Sequence, residues 1–185
     1  MRDSFTLSLI FLVRTLGDLY LLTYLLRFIM QWVRADFYNP LAQFVVKATN
    51  PLVVPARRII PSAGGADLAT LLILIILEAV LTWSLLFLGS LAVTASTFAL
   101  LVPLRLINLT LWFYTISLFV YVLMSWLTQA SYSPISRMLA ELNEPLLGPV
   151  RRLLPPMGGL DLSPLLVLIL IQAVRLALPL PAYLS

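Results

Sequence analysis

Residues 68–102 read LATLLILIILEAVLTWSLLFLGSLAVTASTFALLV, and Glu78 is the only ionisable residue among them. An α-helix crosses the hydrocarbon core of a bilayer with about 20 mostly apolar residues. The composition of the whole chain agrees with such a span, because 61% of its 185 residues are hydrophobic and 11% are charged. Soluble domains carry roughly 25% charged residues. The sequence therefore predicts an integral membrane protein.

Working outward from this run, four apolar segments are long enough to cross a bilayer as helices. They cover residues 5–32, 68 to about 91, 104–127 and 162 to about 180. The predicted turn between the second and third spans lies at about 90–104 and is closed by Pro103 and Arg105. The first segment is not a cleavable signal peptide, because it contains three charged residues, Arg14, Asp18 and Arg27. The predicted fold is an all-α membrane protein with four transmembrane helices.

An internal repeat organises the chain, because a shift of 94 positions superposes its proline, glycine and charged residues. Identical pairs include Trp32 and Trp126, Pro51 and Pro145, Pro55 and Pro149, Arg57-Arg58 and Arg151-Arg152, Gly64-Gly65 and Gly158-Gly159, and Asp67 and Asp161. Each unit is a span, a loop and a second span. Repeat 1 covers residues 1–94 with loop 34–67, and repeat 2 covers 95–185 with loop 128–161. Because each unit crosses the membrane twice, the two copies have the same orientation, as parallel repeats.

The positive charges predict which side of the membrane the loops occupy. Eight basic residues lie in or beside the two loops, namely Arg27, Arg34, Lys47, Arg57, Arg58, Arg137, Arg151 and Arg152. Four lie towards the opposite side, namely Arg2, Arg14, Arg105 and Arg175. Since positive residues accumulate on the cytoplasmic side, the loops are predicted to be cytoplasmic, with the termini and the turn at 90–104 outside.

Each loop begins with a capping residue followed by proline, at Asn39-Pro40 and Ser133-Pro134. This pattern predicts short amphipathic helices, which either lie in the headgroup plane or pack back against the spans. Further along, the prolines favour extended or turn geometry and the paired glycines a chain reversal. The predicted turn and cap residues are Gly64, Gly65, Asp67, Gly158, Gly159 and Asp161.

The adjacent arginines of the loops are the candidate binding residues. At a cytoplasmic interface, guanidinium groups can bind the phosphates of anionic lipid headgroups. Two other interpretations stay open, a purely topological role and a protein partner. The net charge of +4 is explained better by lipid headgroups than by nucleic acid, and no phosphate-binding glycine loop accompanies the arginines. The candidates are Arg57, Arg58, Arg151, Arg152 and Lys47.

Four ionisable residues inside the spans form a second candidate set, Arg14, Asp18, Glu78 and Arg175. Charge within a membrane is costly and often marks function. A rise of about 1.5 Å per helical residue places Asp18, Glu78 and Arg175 at similar depths, and Arg14 lies one turn before Asp18. The predicted network either fixes helix packing, forms a proton or cation pathway through the carboxylates, or pairs with a partner protein's span.

The chain contains no cysteine and no histidine. This absence excludes disulfides, thiol chemistry, histidine general bases and metal or haem sites that need those ligands. We therefore expect no metal and no cofactor. Asp67 and Asp161 could meet as an aspartate pair, but helix capping already explains both.

Several motifs together resemble the YggT (YlmG-like) family. They are Arg27-Phe-Ile-Met-Gln-Trp32, Asp36-Phe-Tyr-Asn-Pro40, Asn50-Pro51, Pro55, Arg57-Arg58, Pro61 and Gly65-x-Asp67. The second copy departs from the pattern, with Ser131-Tyr-Ser-Pro134 in place of the Asp-Phe-Tyr-Asn-Pro run. The resemblance implies a small multi-pass protein of the bacterial inner membrane, without established catalysis, and a link to osmotic stress tolerance or envelope organisation.

Two classes of function follow. The first is a non-catalytic membrane scaffold or assembly and stress-tolerance factor, whose basic loops dock anionic lipids or a membrane-protein partner. The alternative is an oligomeric ion channel or transport component that uses Asp18 and Glu78. Four spans rarely enclose a pathway, so this alternative requires a homo-oligomer. Enzymatic activity is not expected.

Overall fold

A computed structural model describes residues 4–35, 39–62, 65–127, 134–154, 161–181 and 184. The regular elements among these residues are all α-helices. The six helices in the described ranges, in chain order, are α1 (Ser4–Trp32), α2 (Pro40–Arg57), α3 (Leu68–Leu88), α4 (Ala95–Leu127), α5 (Pro134–Leu153) and α6 (Ser163–Ala177). The predicted all-α class is therefore confirmed.

Three of the helices are long and apolar enough to cross a membrane, by length and composition. They are α1 with 29 residues, α3 with 21 and the part of α4 from Ala95 to Ser125 with 31. Helix α6 is also apolar but has 15 residues, which correspond to a length of about 22 Å. The described residues are therefore typical of a membrane protein. Within the predicted fourth span at 162–180, helix α6 covers only Ser163–Ala177.

The turn between α3 and α4 is shorter than predicted. It covers residues 89–94 and not 90–104, and Pro103 lies inside α4. The reason lies at Thr94, whose hydroxyl oxygen accepts a hydrogen bond from the Thr97 amide at 3.3 Å. A threonine in this position starts a helix. The polar cluster at 94–97 therefore begins α4, and Arg105 lies within the helix and not at the edge of a turn.

The loop helices α2 and α5 are longer than predicted, because both continue through two prolines. Pro51 and Pro55 lie inside α2, and Pro145 and Pro149 lie inside α5, so the predicted extended geometry at these residues is wrong. All four are exposed. A proline removes the amide donor for the carbonyl four residues earlier. On an exposed face, that carbonyl remains open to other donors, so the helix continues.

Each loop helix packs against the spans of its own half of the chain. Helix α2 contacts α1 and α3, whereas α5 contacts α4 and α6. The inner face of α2 buries Ala42, Val45, Thr49 and Val53. Of the two arrangements left open by the sequence, the structure therefore gives packing against the spans. The two halves meet where α4 contacts α1 and α3.

Candidate functional site

Arg105 is the centre of a buried polar cluster at the meeting point of α1, α3 and α4. Its Nε donates to Glu78 Oε1 at 2.5 Å, and its Nη2 donates to Asp18 Oδ1 at 3.0 Å. Its Nη1 donates to the Leu184 carbonyl oxygen at 2.9 Å. Arg105 is 4% exposed and Glu78 is fully buried. One guanidinium group thus joins three separate parts of the chain.

Glu78 depends on Arg105 and on one further group in its own helix. The Thr82 hydroxyl, one helical turn later, donates to Glu78 Oε1 at 3.0 Å. The second carboxylate oxygen, Oε2, has no hydrogen-bond partner among the described residues. An unpaired buried charge is strongly unfavourable, so Arg105 is what allows Glu78 to be buried as a carboxylate.

The structure corrects the predicted partners within this network. Arg175 does not reach Asp18 or Glu78, and its Nε donates to Asn108 Oδ1 at 3.2 Å. Arg105 takes the predicted place of Arg175. Arg14 contacts Asp18 at 3.7 Å, as an ion pair and not a hydrogen bond. Arg105 was not predicted in this network, because the third span was predicted to begin at residue 104. The capping pattern at Thr94 was the signal that could have moved this start.

A cavity of about 350 Å³ lies beside the cluster. Its polar lining comes from α1, α4 and α6, and consists of Arg14, Thr15, Asp18, Arg105, Asn108 and Arg175. The cavity therefore brings together three of the four predicted network residues and adds Arg105. Glu78 lies behind Arg105 and does not line the cavity.

A second polar arrangement occurs at the ends of the loop helices, in both halves of the chain. Arg57 Nη2 lies 2.5 Å from Asp67 Oδ2, and Arg151 Nε donates to Asp161 Oδ2 at 2.9 Å. In each pair the arginine precedes the aspartate by ten residues. The first arginine of each Arg-Arg pair thus closes its loop onto the start of the next helix.

Asp67 stands at the N-cap position of α3, but its side chain makes no capping hydrogen bond to an amide. Its carboxylate instead accepts hydrogen bonds from Arg57 and from the Thr70 hydroxyl. Burial alone would raise the pKa of Asp67, but these hydrogen bonds outweigh it and hold the pKa below its ordinary value of 3.8. Gly65, two residues before Asp67, has a φ of 84°, a conformation that favours glycine.

Asp161 behaves more like the predicted cap, since its Oδ1 accepts a hydrogen bond from the Ser163 amide at 3.0 Å. Burial tends to raise the pKa of Asp161, but the bonds from Ser163 and Arg151 lower it below 3.8. The other predicted turn residues, Gly64, Gly158 and Gly159, lie outside the described residues.

Arg27 has a structural position that the sequence did not indicate. It is 4% exposed, and its Nη1 donates to Thr49 Oγ1 at 2.6 Å and to Asn50 Oδ1 at 2.9 Å. The sequence placed Arg27 only among the basic residues in or beside the loops. In the structure Arg27 instead fixes α2 against α1.

The second arginine of each pair is arranged differently from the first. Arg58 and Arg152 are exposed, and neither side chain has a hydrogen bond or ion pair within the described parts of the chain. Each is followed by a highly exposed aliphatic residue, Ile59 at 84% and Leu153 at 79%. Lys47, on the exposed side of α2, is likewise accessible.

A family model described as CCB3/YggT matches the chain twice, over residues 6–88 and 100–181. The chain belongs to the CCB3/YggT family. Each match of this YggT-family protein contains one loop helix with its Arg–Asp pair. The expected family membership is therefore confirmed.

Relatives of this YggT-family protein occur in several bacteria. An uncharacterised protein of Pseudomonas aeruginosa is 45% identical, covering 89% of this chain and 85% of the relative. The uncharacterised protein YggT of Escherichia coli K12 is 41% identical, covering 91% and 88%. A protein of Vibrio alginolyticus is 44% identical, covering 89% and 90%. No solved structure matches the chain.

Proposed function

We propose that this protein is a non-catalytic scaffold or assembly factor of the bacterial inner membrane, whose basic cytoplasmic loops hold anionic lipid headgroups. The proposal includes four spans in two parallel repeats, with α6 and residues 178–181 as the fourth span. The packing of α6 on α4 and α5, which parallels that of α3 on α1 and α2, supports this arrangement. A role in stress tolerance would follow from organising the membrane around the protein.

The proposal depends on a difference between the two arginines of each Arg-Arg pair, since the first is ion-paired and the second is exposed. Arg57 and Arg151 are bound to Asp67 and Asp161, so their charges are used within the molecule. Arg58 and Arg152 remain exposed beside a large aliphatic side chain. A basic residue next to an exposed aliphatic residue suits the boundary between headgroups and acyl chains.

The outer side of α2 also carries exposed apolar and basic side chains. Phe44 is 62% exposed and Leu41 is 38% exposed, and Lys47 lies on the exposed side of the same helix. A helix with one face packed on the spans and a mixed basic and apolar outer face fits an interface with anionic lipid. This arrangement favours a lipid surface over a soluble protein partner.

The alternative of a cation pathway receives less support. Asp18 and Glu78 are both engaged by Arg105, so a permeating cation would have to displace a buried guanidinium group from two carboxylates. The residues of the network have structural partners, and this supports a scaffold in which the polar cluster stabilises the helix packing.

The test is a measurement of lipid selectivity with spin-labelled phosphatidylglycerol in phosphatidylcholine vesicles that contain the purified protein. The Arg58→Gln, Arg152→Gln double variant should bind the labelled lipid about fivefold more weakly at each loop, since one arginine near a membrane surface contributes about 1 kcal/mol. Labelled phosphatidylcholine should show no change.

The matched control is the Arg34→Gln, Arg137→Gln double variant, which removes the same charge from the same predicted side. Arg137 is paired with Glu141, and Arg34 lies between α1 and α2, away from the C-terminal ends of the loop helices, so this variant should keep most of the selectivity. If both double variants lose selectivity equally, net charge and not the Arg58 and Arg152 sites is responsible. If the first variant keeps wild-type selectivity, the proposal fails.

A further inference from the structure

The cavity beside Arg105 is not lined by Arg58 or Arg152, and it has no part in the proposed function. Its polar lining carries three guanidinium groups, from Arg14, Arg105 and Arg175. The carboxylates available to balance them are Asp18 in the lining and Glu78 behind Arg105. The cluster therefore has one positive charge in excess.

The excess charge can be placed at one side of the cavity. Arg105 is shared between Glu78 and Asp18, and Arg14 also contacts Asp18. Arg175 faces only the neutral amide of Asn108. A guanidinium group has five N–H donors, and among the described residues only the Nε donor of Arg175 is used. Its terminal donors are free for a ligand in the cavity.

Arg14 supplies a second set of donors in the same cavity. Its contact with Asp18 at 3.7 Å is an ion pair beyond hydrogen-bond distance. Two arginines with unused donors suit an anion with several oxygen atoms, because each guanidinium group can form a fork of parallel hydrogen bonds. Phosphate has the required oxygens and matches this geometry.

The size and apolar lining of the cavity fit such a ligand. A volume of about 350 Å³ is within the range of small-molecule sites and exceeds what a single ion requires. Phe11, Leu19 and Trp112 also line the cavity, and Phe11 and Leu19 are exposed at the surface of α1. These apolar groups offer a surface for an acyl chain attached to the anion.

We infer that this cavity binds the phosphate group of an anionic ligand, through Arg175 and Arg14. Asp18 does not prevent this, because Arg105 and Arg14 already neutralise it. The phosphate could belong to a lipid headgroup or be free inorganic phosphate. Both sources present the same chemistry to the two guanidinium groups, and the two arms of the experiment distinguish them.

The experiment uses the full chain in dodecyl maltoside micelles, in buffer without phosphate, with tryptophan fluorescence as the readout. One arm titrates inorganic phosphate and the other titrates dihexanoyl-phosphatidylglycerol. Because Trp112 lines the cavity, binding should give a saturable change that the Trp112→Phe variant lacks.

A response to the lipid alone assigns the site to a headgroup. A response to inorganic phosphate alone assigns it to the free ion, and a response to both assigns it to the phosphate group itself. No saturable response in either arm overturns the inference.

The Arg175→Gln variant tests the residue that carries the excess charge. Loss of charge-assisted hydrogen bonds should weaken binding about tenfold or more, in whichever arm the wild type responds. Arg137→Gln, which removes one positive charge from the loop helix α5 at a residue paired with Glu141, is the matched control and should bind as the wild type does. Binding by Arg175→Gln at wild-type affinity would refute the assignment.

Arg14→Gln is a second variant for the case in which Arg175→Gln does not fold, as judged by far-ultraviolet circular dichroism and gel filtration. It should also weaken binding. These results are independent of the lipid selectivity of the loops, which depends on Arg58 and Arg152, so either site can fail without the other.

Discussion

Arg105 brings together two carboxylates from different helices and a carbonyl oxygen from beyond α6. A buried cation with so many partners contributes in two ways. It compensates the negative charges of Glu78 and Asp18, and it holds α4 in one rotation relative to α1 and α3. Removing it leaves a buried carboxylate without its counter-ion, which is far worse than losing an exposed ion pair.

We therefore predict that Arg105→Gln destabilises the protein by about 3–5 kcal/mol. The measurement is the free energy of unfolding from titration with sodium dodecyl sulfate in dodecyl maltoside mixed micelles. Arg175→Gln is the control, since Arg175 has one neutral partner, and it should change stability by less than about 1 kcal/mol. Equal effects of the two substitutions would contradict the central position of Arg105.

The free energy of unfolding should depend on pH through Asp67. Its pKa in the folded protein is below the ordinary value of 3.8, so the unfolded chain takes up a proton first as the pH falls. The stability that its hydrogen bonds provide is present above about pH 4 and is lost as the pH falls through the folded pKa. The free-energy difference between wild type and Asp67→Asn should therefore shrink below about pH 4. Unfolding titrations between pH 7 and 3 test this, and a difference that grows on acidification would contradict it.

The sequence indicated which charges lie in the spans but not how they pair. Asp18 and Glu78 were recognised because ionisable residues are rare in apolar segments. Their partner was missed because the depth of Arg105 depends on where α4 begins and how the helix is rotated. The Arg57–Asp67 pair was likewise hidden, since each residue had a sufficient local explanation, as positive charge or as a cap.

Helices α1 and α3 approach closely at Gly17. A methyl group added at Gly17 would lie 2.5 Å from Leu81 Cδ1, and Leu81 is buried. Close approach of two helices at a small residue is typical of packing within membranes. Gly17 therefore serves the contact between the spans.

We predict that Gly17→Ala destabilises the protein by about 1–3 kcal/mol, because it overpacks this contact. Gly148→Ala in α5 is the matched control. There the added methyl group would meet Oε1 of the exposed Glu144 at 3.1 Å, and alanine favours a helix over glycine by up to about 1 kcal/mol. The control should be neutral or stabilising in the same unfolding titration. A stable Gly17→Ala variant would mean that α1 and α3 can separate without loss.

The helices themselves were predictable to different degrees. The bounds of α1 and α3 follow from their apolar composition, and the predicted segments 5–32 and 68–91 agree closely with Ser4–Trp32 and Leu68–Leu88. The ends of α2 and α5 did not follow from local rules, because proline disfavours helix in general. A helix that packs on neighbouring spans tolerates an exposed proline. Whether a given proline is exposed depends on how the helices pack, which the sequence alone does not show.

For the whole molecule, the absence of cysteine makes the membrane arrangement directly testable. We predict that Ile59→Cys and Leu153→Cys, both at exposed positions, react with a membrane-impermeant maleimide only from the cytoplasmic side. Ser96→Cys, in the exposed first turn of α4, should react only from outside.

Pro179→Cys decides whether α6 completes a fourth span. If it does, residue 179 should be labelled from outside, together with residue 96 and opposite to residue 153. Labelling of residues 153 and 179 from the same side would show three crossings. Labelling of residues 59 and 153 from opposite sides would contradict the parallel arrangement of the two repeats.

The pairing of Arg105 with Glu78 also has a consequence for how the chain is made. Both carboxylates are in the first half of the chain, and their arginine follows Glu78 by 27 residues. At about 5–20 residues per second, a ribosome leaves Glu78 without this partner for a few seconds. We expect a nascent chain arrested before α4 to be recognised and degraded as incompletely assembled. Although the two copies are similar in sequence, the second supplies the arginine that pairs with both carboxylates of the first, so we expect the first copy to be stable only after the second has been synthesised.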